Sequence, residues 1–186
     1  MPAKTIGARS KRKGSHDGGE VRRGQIMAWM RSRGGPVSGG ELADHFQVSR
    51  QCMVQDMAIL RAGGEEILAT PRGYQLPVAK ERGHRAVIAC KHPPERTEEE
   101  LQTLVDYGVK ILDVIVEHPL YGELRGSLML ESRADVDDFL EHVRSSKATL
   151  LSALTDGVHL HTVEASRPDA ISRARADLRR RGILLK

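Results

Sequence analysis

The stretch SGGELADHFQVSRQCMVQDMAILRAGG, residues 38–64, packs two helix starts and a firm helix stop into a short span, and it constrains the fold more than any other part of the chain. Ser38 has the chemistry of an N-cap, and Glu41 three residues on completes a capping box, after which Leu42 and Phe46 face inward. Gln47 to Ser49 turn the chain and Ser49 is the next N-cap. Met53, Met57 and Leu60 then repeat at helical spacing until Gly63 and Gly64 end the run. Upstream, Ile26, Trp29 and Met30 share a face of an earlier helix that Gly34, Gly35 and Pro36 close. Downstream, EEILATPRGYQL reads as two short strands around a Pro71-Arg72-Gly73 turn. Three helices with a tight second turn and then a hairpin form the winged helix-turn-helix plan, expected over residues 21–77.

In that plan the third helix enters the DNA major groove, with its N-terminal residues at base edges. Ser49, Arg50, Gln51 and Gln55 fall on the face opposite Met53 and Met57, and Arg and Gln read guanine and adenine through paired hydrogen bonds. Arg72 at the hairpin tip is expected to reach an adjacent groove or phosphate. A polar outer face is otherwise simply solvated, so the charge distribution matters. Residues 1–80 hold 13 Lys and Arg against 7 Asp and Glu, whereas residues 81–186 hold 16 against 18. A basic front and a mildly acidic back suit one module that meets double-stranded DNA and another with a different task. Residues 1–20, rich in Lys, Arg, Gly and Ser, read as a disordered basic arm.

After a linker from Pro77 to Gly83, residues 84–186 alternate strand and helix signals. HRAVIACKH is a strand ending at His92. Pro93 and Pro94 turn the chain, and Thr97 is expected to cap a helix from Glu98 to about Gly108. VKILDVIVE and ELRGSLMLE are partner strands around Tyr121-Gly122, and Ser132 caps a helix with a Val136, Phe139, Leu140, Val143 stripe. HLHTVEA is a further strand, followed by a last helix and a short last strand. The fold class is α+β, with strands covered on one face by helices.

His159 and His161, at i and i+2 on a strand, point to the same side and can both reach one ion. His-x-His alone is half a site, and histidines on a strand face are often only hydrogen bonded. KHPPERTEEE adds to it: if its strand neighbours the His-x-His strand, His92 and one carboxylate of Glu98, Glu99 or Glu100 arrive at the same place. Glu100 is the best placed, because eight residues of proline-containing turn let the helix fold back over the strand end. Three imidazoles and a carboxylate suit Zn, Ni, Fe(II) or Co rather than Ca or Mg. Cys52 and Cys90 lie far apart and in no paired motif, which fits a reducing compartment and argues against a thiolate site. The chain has neither a membrane-length apolar run nor a secretory signal, so a cytoplasmic location is expected.

GGELADHFQVSRQCMVQDMAILRAGG, ATPRGYQL, DVIVEHPLYGEL and LTDGVHLHTVEA, in that order, resemble the niacin-responsive transcriptional repressor family (NiaR, also called YrxA) over roughly residues 22–186. The resemblance implies a winged helix-turn-helix domain followed by an HPr-like α/β sandwich, the 3H domain. It also implies a homodimeric repressor of NAD-biosynthesis or niacin-uptake genes, which binds its operator better with nicotinic acid. One divalent metal ion per chain (Ni, Zn or Fe) is implied, with family ligands that correspond to His92, Glu100, His159 and His161. Arg133 and Tyr121 are the expected remaining contacts to nicotinic acid or a related pyridine. Two other classes stay open: a repressor for which the ion itself is the signal, and a small metalloenzyme fused to a DNA-binding module. The absence of an evident acid/base pair or nucleophile favours a protein that is not an enzyme.

Overall fold

The computed structural model describes residues 16–77 and 83–185. The greater part of the basic arm, residues 1–15, and most of the linker, 78–82, lie outside the described residues. The N-terminal domain contains α1 (His16–Arg33), α2 (Gly39–His45), α3 (Arg50–Ala62) and the antiparallel hairpin β1 (Leu68–Thr70) and β2 (Gly73–Gln75). The first helix therefore begins inside the stretch assigned to the arm. Its register is settled further along, where Ile26, Met27 and Met30 pack with Leu42, Met53 and Met57 in one core. Ser38 accepts from the Glu41 amide while the Glu41 carboxylate accepts from the Ser38 amide, and Ser49 caps α3 by accepting from the Cys52 amide. Asp56, buried on the inner side of α3, is held by Arg22 Nε at 2.7 Å and Arg23 Nη1 at 3.3 Å, which locks α1 against α3. Tyr74 and Val37 exchange both backbone hydrogen bonds, so the chain before α2 joins the wing as a third short strand.

The C-terminal domain runs β3 (His84–Lys91), α4 (Thr97–Asp106), β4 (Lys110–His118), β5 (Gly122–Leu130), α5 (Arg133–Ser146), β6 (Val158–Ala165) and α6 (Pro168–Arg180). Its four strands form one antiparallel sheet in the order β3-β6-β4-β5, that is first, fourth, second, third. All three helices cover one face. Leu101, Leu104, Val136, Leu140, Ile171 and Leu178 meet Ile88, Ile111, Leu130 and Val163 in a single apolar layer. The expected α+β open-faced sandwich is present. The expected last strand is reduced to a bridge between Leu184 and Cys90 at the outer edge of β3.

Two local expectations are corrected. Thr97 does not cap α4: Pro94 starts a 3-10 turn (Pro94–Arg96) that runs straight into the helix, leaving Thr97 as its first residue with its hydroxyl buried and unpartnered. Arg72 is not left free at the hairpin tip for a groove or a phosphate. Its guanidinium pairs with Asp135 on α5 and donates from Nη2 to the Met129 carbonyl at 3.2 Å, because the wing packs against the end of β5. Asp135 is at the same time the capping-box partner of Ser132 and accepts from the Glu131 and Ser132 amides. Arg72→Ala is expected to cost about 1 kcal/mol and Asp135→Ala about 2 kcal/mol, since only the second also removes a helix cap. Urea unfolding of the two variants checks the order; equal losses would show that the wing contact carries all of the effect.

Candidate metal centre and the recognition helix

Three imidazoles converge on one buried carboxylate. His92 follows the last residue of β3, His159 and His161 lie on the core-facing side of β6, and Glu100 lies on the inward face of the first turn of α4; all four are at least 96% buried. The β3–β6 register brings them together, because antiparallel pairing sets Cys90 opposite His159 and Ile88 opposite His161. Gly157 allows the approach: it sits at φ +85°, and its Cα lies so close to the His92 carbonyl that no side chain fits between. From Glu100 Oε2 the Nε2 atoms stand at 2.7 Å (His92), 3.1 Å (His159) and 3.5 Å (His161).

The other ring nitrogens fix the chemistry. Nδ1 of His92 lies 2.8 Å from the Pro93 carbonyl, Nδ1 of His159 is 2.9 Å from that of Gly157, and Nδ1 of His161 is 2.7 Å from that of Asp113. A carbonyl only accepts, so each Nδ1 carries a proton and donates. In the neutral form a ring of this tautomer presents an Nε2 lone pair to the Glu100 oxygen. Lone pairs and a carboxylate facing one another in a dry interior repel unless a positive charge lies among them, either protons or a metal ion. Without an ion the group relies on protons. Burial opposes charge on His92 and His161, but Glu100 outweighs it and raises both above the ordinary histidine value. Burial likewise opposes the Glu100 charge, and the histidines overcome it and hold the carboxyl well below its usual range. Oriented imidazoles with Nδ1 bonded to the backbone and Nε2 turned toward one carboxylate are the donor set of a divalent transition metal. The residues therefore fit such an ion.

Beside the cluster runs a narrow cleft of about 30 Å³, walled by Thr97, Leu101, Val114, Leu128, Phe139 and Leu151. The expected ligand contacts are not here. Arg133 points away, paired through Nε and Nη2 with Asp106 at 2.6 and 2.5 Å, and Tyr121 is 69% exposed on the β4–β5 turn, tilted against His118. Glu98 and Glu99 stay at the surface, Glu99 between Arg96 and Arg181. Besides the cluster itself the cleft is lined by two hydroxyl residues, Thr97 and Ser152, and the Thr97 hydroxyl is buried without a partner.

In the N-terminal domain Arg50, Gln51 and Gln55 are exposed on the outer side of α3, and Ser49 uses its hydroxyl to cap the helix at the same end. Val54, half exposed between them, is an apolar member of this face that a search for polar readers passes over.

Family models agree with this division: one described as an HTH domain matches residues 22–75 and one described as a 3H domain matches residues 85–186. The chain is 44% identical over 171 residues to the transcription repressor NadR of Bacillus subtilis (strain 168), covering 90% of this chain and 95% of that protein. It belongs to the NadR/NiaR repressor family. A second member of the NadR/NiaR family, the probable transcription repressor NiaR of Thermotoga maritima, is 45% identical over 151 residues, or 81% of this chain and 86% of its own length. As in the sequence reading, no helix among the described residues is long and apolar enough to cross a membrane.

Proposed function

We propose that this chain is a DNA-binding transcription repressor whose C-terminal domain holds one divalent transition metal ion and takes nicotinic acid, or a related pyridine carboxylate, as co-repressor. The observation that carries the reading is the convergence of three backbone-oriented Nε2 atoms and Glu100 beside an apolar cleft. His92, Glu100, His159 and His161 would hold the ion, and a bound ion supplies a Lewis-acidic position for the nitrogen or carboxylate of the effector. Leu101, Leu128, Phe139 and Leu151 offer a dry surface to an aromatic ring, and the Thr97 hydroxyl offers it a hydrogen bond. Because the cleft is narrow, ring entry displaces its walls, among them Phe139 of α5.

That displacement has a route to DNA. Helix α5 begins at the Ser132–Asp135 cap, and Asp135 holds Arg72 of the wing. A movement of α5 therefore bears on the placement of α3. In a homodimer the separation of two such helices sets the match to half-sites about 34 Å apart. The target genes proposed are those of NAD biosynthesis or niacin uptake.

The test is operator binding, followed by fluorescence anisotropy at fixed salt, with nicotinic acid titrated into metal-loaded protein. Wild type is expected to gain affinity with ligand. His159→Ala is expected to lose that gain while keeping its fold and weak ligand-independent binding. A response to metal add-back alone, with no effect of any pyridine, would replace this reading by that of a metal sensor.

A further inference from the structure

The same register that assembles the histidines also delivers a sulfur. Cys90 pairs directly with His159 across β3 and β6, on the side of the sheet that the helices cover, and is fully buried. Its Sγ, a Glu100 carboxylate oxygen and an imidazole nitrogen of His159 all lie within 4.8 Å of one another. The neighbouring core positions on this face, Ile88 and Val163, are filled by hydrocarbon, which would pack the Cys90 position equally well. Cys52, by contrast, is half buried on α3, where its sulfur accepts from Arg22.

We propose that Cys90 is a further ligand of the metal ion, a thiolate donor added to His92, Glu100, His159 and His161. The proposal rests on the reading of this cluster as a metal centre and goes beyond its imidazole and carboxylate donors. The span is suitable. Metal–sulfur bonds of about 2.3 Å and metal–nitrogen or metal–oxygen bonds of about 2.0–2.2 Å place two ligands of one ion about 3.5 Å apart in a tetrahedral site and at most about 4.5 Å apart, so a modest closure of the cluster brings the three atoms onto one ion. On binding, the S–H bond breaks, a metal–sulfur bond forms and the proton leaves to solvent. A soft donor in a set of borderline and hard ones biases the site toward Zn, Ni and Co and against Mg and Mn.

Cobalt(II) titrated anaerobically into the reduced, metal-free full chain reads both the ion and the sulfur. The expected result is stoichiometric uptake with visible d–d bands and, in the near ultraviolet, a thiolate-to-cobalt charge-transfer band. Cys52→Ser should retain that band. Cys90→Ser should lose it while keeping the d–d bands, with affinity for Zn lower by at least about tenfold. Cys90→Val, which buries no polar group, serves the same purpose if the serine variant does not fold. Cobalt bound with d–d bands but no charge-transfer band in wild type, or a band that survives both Cys90 variants, overturns the proposal and leaves the metal centre standing. Absence of cobalt uptake altogether, or uptake that His159→Ala does not change, overturns the metal centre and this proposal with it.

Discussion

Gly157→Ala should abolish metal binding at the proposed centre and lower the stability of the protein by more than about 3 kcal/mol. A methyl at this position would lie 2.2 Å from the His92 carbonyl oxygen and 3.0 Å from its carbon, and both obstacles are backbone, so no side chain can swing aside. The residue also sits at φ +85°, where an L side chain adds strain of its own. Relief requires the end of β3 to part from the start of β6. The Gly157 carbonyl accepts from the His92 amide and from His159 Nδ1, so two of the imidazoles would be displaced together. Metal geometry tolerates roughly half an ångström of such error. Gly182→Ala is the control: φ is +70° there, but nothing lies within 4 Å of the new methyl, so a cost of about 1 kcal/mol and full metal content are expected. Thermal unfolding with elemental analysis reads both effects. A Gly157→Ala protein with wild-type metal content and an unchanged Tm would mean that the strands are not held in this register.

Glu100→Gln should reduce metal affinity by roughly 100-fold or more while changing the stability of the metal-free protein far less. The substitution keeps the shape of the side chain and removes its charge. It would delete a proposed ligand outright, whereas loss of a group that merely orients a ligand already costs about 10- to 100-fold. Breaking a buried ion pair is usually expensive because the surviving charge is stranded. Here Glu100 is what raises the His92 and His161 values against burial, and without it both can stay buried as neutral rings. Glu99→Gln, one residue away in the surface group with Arg96 and Arg181, should leave affinity unchanged. Competition against a chromophoric chelator measures all three proteins. Equal affinities for wild type and Glu100→Gln would remove the carboxylate from the site.

What the chain reveals before folding is mostly what a few adjacent residues settle between them. The caps at Ser38, Ser49 and Ser132 were legible because a hydroxyl two or three residues before an amide needs no distant partner. The shared face of His159 and His161 follows from strand alternation alone, and Glu100 could be preferred over its neighbours from the length of the turn. Long-range register was not legible. That β3 pairs with β6, across some seventy residues, puts Cys90 at the cluster, against an expectation drawn from cysteine spacing. Arg72 read as a free cation because nothing near it in sequence shows that α5 supplies its partner. Arg133 and Tyr121 have chemistry that suits a pyridine carboxylate, but packing directs one to Asp106 and leaves the other on an exposed turn. The Thr97 cap failed because Pro94 nucleated a turn one step earlier, a competition between two signals that both occur in the sequence.

The carbonyls that orient His92, His159 and His161 belong to Pro93, Gly157 and Asp113, and each acts through its main chain. In many metal proteins the equivalent task falls to a side chain, which a single codon change deletes. Here no substitution can delete the acceptor; it can only bend the backbone that carries it. The aim of the three rings is thus set by the fold itself, and the side chains around the cleft can be exchanged without turning the rings away from Glu100.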